Sequence, residues 1–183
     1  MLQMEQKDYR FEIIGILLKG EDHVRSIAKR LKTNHMMISR KMKELLKMNI
    51  VDLKTNGRNQ TYFVKTSVEA KTFILMTENY KLIKVIHKYP LLRDVVNKIK
   101  DDKRIKLALI FGSYAKNLAN KKSDIDIFIE TKNKKIKNEY SALDSKLRIK
   151  IGKFNRKENM FKEMDKNHLL IKGGEIFYEK FFD

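Results

Sequence analysis

Helical and strand-like hydrophobic spacing alternate along the chain. Over 9–19 apolar residues recur at helical intervals, and Phe11, Ile14, Leu17 and Leu18 share a face. Gly20 and Glu21-Asp22 end that segment. Val24, Ile27, Ala28 and Leu31 repeat the pattern over about 23–31. A third helix is expected over about 34–48, with Thr33 as its N-cap and Met37, Ile38, Met42, Leu45 and Leu46 inward. The period then shortens. Segments 50–54 and 60–64 read as strands, and Asn56-Gly57 between them is a hairpin signal.

Helical spacing returns over 67–88, with Ser67 as its cap. Phe73, Leu75, Met76, Leu82, Ile83, Val85 and Ile86 form a wide apolar surface, suited to packing on both flanking domains or to pairing with a second copy. Pro90 breaks the chain, and a helix over 91–100 follows, closed by Asp101-Asp102-Lys103-Arg104. Two short apolar runs, 105–111 and 125–129, read as buried strands. The polar, basic segment 131–146 is expected to be a loop and a helix, 147–154 a strand, and 155–164 a helix. Over 168–178 the pattern predicts a short helix, a Gly173-Gly174 turn and an apolar strand or tail. Phe177, Tyr178, Phe181 and Phe182 are expected to pack rather than to stack on bases.

The chemistry gathers between the two apolar strands. Gly112 follows the first directly and allows a tight turn with close approach of backbone to a ligand. Ser113 adds a hydroxyl, and a helix starting there adds free N–H groups, together a phosphate cradle. Asp124 and Asp126 are two apart on a strand and so share a face. Paired carboxylates beside a phosphate site suit Mg²⁺, which prefers oxygen ligands and substrate phosphates.

Composition narrows the classes. No apolar run is long enough to span a membrane, and no signal peptide is visible at the start, so a cytoplasmic protein is expected. Cysteine is absent, which excludes disulfides and thiolate metal sites, and His23, His35, His87 and His168 have no ligand spacing. The net charge of +18 is spread along the chain rather than held in a tail, and favours a polyanionic partner, most simply nucleic acid.

Phe111-Gly112-Ser113, a gap of ten residues, and Asp124-Ile125-Asp126 resemble the signature of the DNA polymerase β superfamily, in size its small nucleotidyltransferases. Ser123 before the first aspartate also fits. The resemblance implies Asp124 and Asp126 as catalytic metal ligands for Mg²⁺, Gly112 and Ser113 on the β- and γ-phosphates of an NTP, and Ser123 and Lys116 as further nucleotide-binding candidates. Lys121 and Lys122 could likewise steer a triphosphate or an RNA end, or be solvated. The superfamily also has a third acid on the strand beside the Asp-x-Asp strand. Here that strand carries Arg148 and Lys150 and no acid. Asp144 precedes it, and Glu130 shares the face of Asp124 and Asp126. A missing third acid would chiefly affect the second metal ion. Nucleotidyl transfer to an RNA or protein acceptor and a degenerate, nucleotide-sensing domain therefore both stay open.

Residues 8–66 resemble a winged helix-turn-helix on the pattern Ile27-Ala28-Lys29-Arg30-Leu31, Ile38-Ser39, Leu45-Leu46, Ile50-Val51 and the hairpin. The resemblance implies double-stranded DNA as partner. Asn34, His35, Ser39, Arg40 and Lys43 would face the major groove, with Arg58 at the wing tip. The expectation is an α+β chain of three parts: a winged helix-turn-helix (8–66), a linking or dimerisation helix (67–89), and a polymerase β-like nucleotidyltransferase domain of mixed sheet and flanking helices (90–183). A homodimer through the long helix is expected.

Overall fold

A computed structural model describes residues 7–57, 59–155 and 158–182. The chain divides into two compact units, Met1–Thr77 and Glu78–Asp183.

In the first unit, helices α1 (Tyr9–Leu17), α2 (Val24–Leu31) and α3 (His35–Lys47) precede strands β1 (Val51–Asn56) and β2 (Asn59–Val64). Helix α1 buries Ile13, Ile14, Ile16 and Leu17, while Phe11 and Leu18 are half-buried. It touches α2, α3 and β2, so it buries more of its circumference than the single predicted stripe. Phe11 still packs, stacked on Phe73 with ring centroids 5.0 Å apart.

The cap of α3 is Asn34, one residue later than predicted. Lys32 takes a left-handed conformation at φ 52°, and the Thr33 N–H closes α2 on the Ala28 carbonyl. Thr33 thus ends one helix, and Asn34 starts the next by accepting the Met36 N–H at 2.8 Å. Ile38, Met42 and Leu45 are buried as expected; Met37 and Leu46 flank them half-buried.

Strands β1 and β2 pair antiparallel with Asn56 opposite Asn59, leaving a two-residue loop that begins at Gly57, φ +60°. Asp22 and Tyr62 exchange backbone hydrogen bonds (3.1 and 2.8 Å), fastening the turn after α1 to the hairpin. Helix α4 (Val68–Lys88) follows, and its Ala70 N–H donates to the Ser67 hydroxyl. Ala70, Phe73 and Ile74 are buried in the first unit.

In the second unit, the final part of α4 and a 3₁₀ turn, Pro90–Leu92, lead into α5 (Arg93–Asp101). Then come β3 (Leu107–Phe111), α6 (Gly112–Ala115), β4 (Ile125–Glu130), α7 (Lys135–Ser141), β5 (Leu147–Ile151), α8 (Asn159–Lys166), β6 (Leu169–Lys172) and α9 (Gly174–Phe182). The four-stranded sheet has the order β5-β4-β3-β6, with β4 and β5 parallel and the other pairs antiparallel.

One sheet face, with Ile110, Ile125, Ile127, Ile129, Leu147 and Ile149, lies in a core with Leu82, Val96, Ile99, Ile136 and Tyr140. On the other face Phe128 meets Phe161 edge-on at 5.0 Å, and Phe154 joins Phe161 and Phe177.

The predicted order over 168–178 is reversed. The strand β6 comes first, and the helix α9 follows Gly173. Leu169-Leu170-Ile171 is a buried run that pairs with β3, which leaves the glycines to turn the chain afterwards. Gly173 has φ +79°, and a Cβ there would collide with the Lys106 carbonyl. Phe177 and Tyr178 pack as expected. Phe181 and Phe182 lie outside the described side chains.

Candidate functional site

Phe111, Asp126 and Arg148 are consecutive partners across β3, β4 and β5, so they form one row of the sheet. The chain leaves that row at Gly112, whose φ is +69°. A Cβ at Gly112 would run into the Asp126 carboxylate. The Gly-Ser turn and the acid pair, twelve residues apart in sequence, are therefore in contact, and only glycine allows it.

Asp126 is half-buried and Asp124 is exposed. Burial pushes the Asp126 carboxyl above the ordinary carboxylate range; the charge of Asp124 adds to this, and Lys150 and Arg148 oppose it. Arg148 Nη2 lies 3.2 Å from Asp124 Oδ1, and its Nη1 donates to the Ser145 carbonyl at 2.7 Å. Lys150 leans across the sheet, with its ammonium 5.2 Å from the centre of the Phe111 ring. Each carboxylate thus has a β5 cation beside it. An ion pair this exposed is worth only about 0–1 kcal/mol, so it does not lock Arg148 in place.

On β5, the strand where the third acid is expected, the register places Arg148 directly opposite Asp126 and Lys150 one row further. The two other acids considered from the sequence have different tasks. Glu130 accepts the Phe154 N–H at 3.2 Å, and Asp144 accepts the Lys146 N–H at 2.8 Å in the turn before β5. Among the described residues no group of three metal-ligating side chains gathers. Two carboxylates on one face, against the backbone of Gly112, are a donor set for a single hard cation that also binds phosphate oxygens.

Ser113 is half-buried at the start of α6, and Lys116 is exposed at its end. Ser123 Oγ accepts the Asn120 N–H at 2.9 Å, so its hydroxyl shapes the loop that delivers Asp124. That loop is also held by Lys88 Nζ on Asn117, by Tyr89 Oη on the Ala119 carbonyl and by Lys146 Nζ on the Lys121 carbonyl.

On α3, His35, Arg40 and Lys43 are exposed and Ser39 is half-buried on the same side. Asn34 is exposed, and its side-chain oxygen is occupied by the cap. Met36, not singled out from the sequence, is 68% exposed beside them. Arg58 lies outside the described residues. Asp22 was also missed: it accepts from the His23 N–H, Ser26 Oγ and Arg30 Nη1, and so fixes the start of α2. The signal was present as Ser26 and Arg30, four and eight residues further along one helix face.

A buried polar cluster was missed entirely. Glu78, 2% exposed, accepts from Tyr178 Oη at 2.7 Å and from Lys81 Nζ at 2.7 Å, and lies 3.6 Å from His168 Nε2. His168 Nδ1 donates to the Met164 carbonyl at 2.8 Å. A carboxylate amid the apolar positions Ile74 and Leu82 of α4 was the available signal.

The sequence profile of the polymerase beta nucleotidyltransferase family matches residues 93–180. These residues belong to that family. The nucleotidyltransferase domain covers the sheet, the Gly112-Ser113 turn and both aspartates. Among solved structures, the chain is similar to reduced HlyU from Vibrio cholerae, at 22% identity and TM-score 0.36 over 40% of this chain and 77% of that one. It is also similar to the transcriptional repressor BigR from Xylella fastidiosa, at 17% identity and TM-score 0.35 over 39% and 69%. A third is the adhesin competence repressor AdcR from Streptococcus pyogenes, at 14% identity and TM-score 0.41 over 52% and 78%. No curated protein matches the chain significantly. Three helices followed by the β1–β2 wing make the N-terminal region a winged helix-turn-helix fold. Among the described residues no helix is long and apolar enough to cross a membrane.

Proposed function

We propose that this protein binds double-stranded DNA through its winged helix and binds a nucleoside triphosphate with Mg²⁺ in its nucleotidyltransferase domain. The observation that carries the second half is the contact between the Gly112 turn and the Asp126 carboxylate. It joins a phosphate-approachable backbone to a metal-competent acid pair. In this reading Asp124 and Asp126 hold the ion, and Gly112 and Ser113 meet the β- and γ-phosphates. Lys116 supplies positive charge nearby, and Ser123 acts by shaping the Asp124 loop. The ion would supply neutralisation of the triphosphate charge. Transfer of the nucleoside monophosphate to an RNA or protein acceptor is the activity proposed.

A second reading is favoured by one observation. Arg148, on the strand where the family's third acid is expected, pairs with Asp124. On this reading the domain binds or senses the nucleotide without transferring it, and the protein is a transcription regulator.

The exposed face of α3 supports the DNA half: His35, Ser39, Arg40 and Lys43 would meet bases or phosphates, and Met36 would offer apolar contact to a thymine methyl. Asn34 acts mainly as the cap of that helix, and Arg58 at the wing tip would sit near the minor groove or the DNA backbone. A homodimer is proposed on the exposed apolar Val68 and Met76 of α4, and a cytoplasmic location goes with a DNA partner.

The test is Mg²⁺-dependent labelling from α-labelled ATP, CTP, GTP and UTP with host RNA and protein as acceptors, with Asp126→Asn as control. Label that needs Asp126 establishes transfer. ATP binding by calorimetry without label selects the sensing reading. Neither label nor nucleotide binding rejects both.

A further inference from the structure

This inference rests on the reading that the acid pair takes a metal-bound nucleotide. The question is what balances the triphosphate when the second ion has no third carboxylate to hold it. The strand that should carry that acid, β5, carries two cations on the face it shares with Asp126. Arg148 is directly opposite Asp126 in the register, and Lys150 is one row further. Both are exposed, while the alternating Leu147 and Ile149 are buried in the opposite core.

Their head groups converge on the site. The Arg148 guanidinium reaches Asp124, and the Lys150 ammonium passes over the sheet to the ring of Phe111. Phe111 is the residue that leads into the Gly112 turn and the partner of Asp126 on the other side. Arg148 thus stands beside one acid of the pair, and Lys150 beside the residue that leads into the turn touching the other.

We infer that Arg148 and Lys150 are ligands of the triphosphate that stand in for a second divalent ion, so that the site takes one divalent ion per nucleotide. The charges agree with this. Two carboxylates, two side-chain cations and one divalent ion leave a site at least as positive as three carboxylates and two divalent ions. The chemistry of the groups agrees too. A guanidinium can grip two phosphate oxygens at once, and an ammonium acts as a point charge. Arg148 is not held from this task, since its present carboxylate partner is exposed. What the side chains lose against metal ions is coordination of an attacking oxygen, which they cannot supply.

The experiment counts metal ions on the full chain. Mn²⁺ is titrated against the protein saturated with ATP, with bound Mn²⁺ read by electron paramagnetic resonance. ATP and AMP affinities are measured by calorimetry for wild type, Arg148→Met and Lys150→Met, and a melting curve checks that each variant folds. The expected result is one Mn²⁺ per chain, with ATP affinity reduced about tenfold or more in each variant and AMP affinity little changed. Two Mn²⁺ per chain would overturn the inference and leave nucleotide binding standing. Unchanged ATP affinity in both folded variants would overturn it as well. No ATP binding by wild type would reject the underlying reading, and the inference with it.

Discussion

The backbone of Gly112 lies against the carboxylate of Asp126, at a φ of +69° that has no room for a side chain. Gly112→Ala therefore meets two costs. A left-handed Cβ costs roughly 1–2 kcal/mol, and the methyl group drives the Asp126 carboxylate out of place. Urea unfolding should show a loss of that size, and calorimetry should show Mg²⁺-ATP binding largely abolished. A folded Gly112→Ala protein that binds ATP as wild type does would remove the turn from the site.

Asp126 makes stability and binding oppose each other. Burial raises its pKa, so the folded chain binds a proton there more readily than the unfolded chain does. Its charged form is thus disfavoured by folding, and that penalty is felt once the pH rises above the carboxylate range. Asp126→Asn copies the protonated form. It should melt no lower than wild type at pH 7 while losing Mg²⁺-ATP affinity about tenfold or more. By the same argument, Mg²⁺-ATP binding by wild type should fade on acidification at a higher pH than an ordinary aspartate would give.

Tyr178 Oη donates to the buried carboxylate of Glu78 at 2.7 Å. A hydrogen bond to a charged group contributes about 1.5–3 kcal/mol, and its loss leaves the acceptor poorly solvated. Tyr178→Phe should destabilise the chain by about that much in urea, without altering DNA binding. A loss well under 1 kcal/mol would mean that water reaches Glu78.

His168 faces Glu78 and Lys81 of α4 and lies against the Phe177 ring of α9, with Asp165 near it on α8. Burial pushes its pKa below the ordinary value, partly opposed by Glu78. The unfolded chain therefore takes up a proton near pH 6.5 that the folded chain resists, and stability should fall as the pH drops below about 6.5. Urea midpoints at several pH values between 7.5 and 5 measure this, and His168→Gln should flatten that part of the profile. Burial alone would raise Glu78, but the charge of Lys81 and the hydrogen bonds from Lys81 and Tyr178 hold it below its ordinary value. Its contribution is present above the carboxylate range and lost in stronger acid, so the two groups act in the same direction.

Arg40 is exposed on the outer face of α3. If that face enters the groove, Arg40→Ala should weaken DNA binding and make the slope of log affinity against log salt shallower by about 1. An unchanged slope and affinity would mean that α3 does not meet DNA.

The sequence by itself determined the helix and strand order as far as α8, because hydrophobic period is a local property. It also determined the family signature, since Phe111-Gly112-Ser113 and Asp124-Ile125-Asp126 are short contiguous motifs on adjacent elements. Its errors were of the same local kind. Thr33 and Asn34 are both good caps, and only the closure of α2 by the Thr33 N–H decides between them. The run 169–171 could be helix or strand until β3 offers it a ladder. What the tertiary structure alone decided were the relations between distant residues. The parallel register of β4 and β5 put Arg148 rather than Lys150 opposite Asp126, and a shift of one residue would have turned both cations away. The fold brought Glu78 of α4, His168 of the connection between α8 and β6, and Tyr178 of α9 together. No local pattern encodes such a meeting, because it follows from which faces pack and not from how a segment repeats.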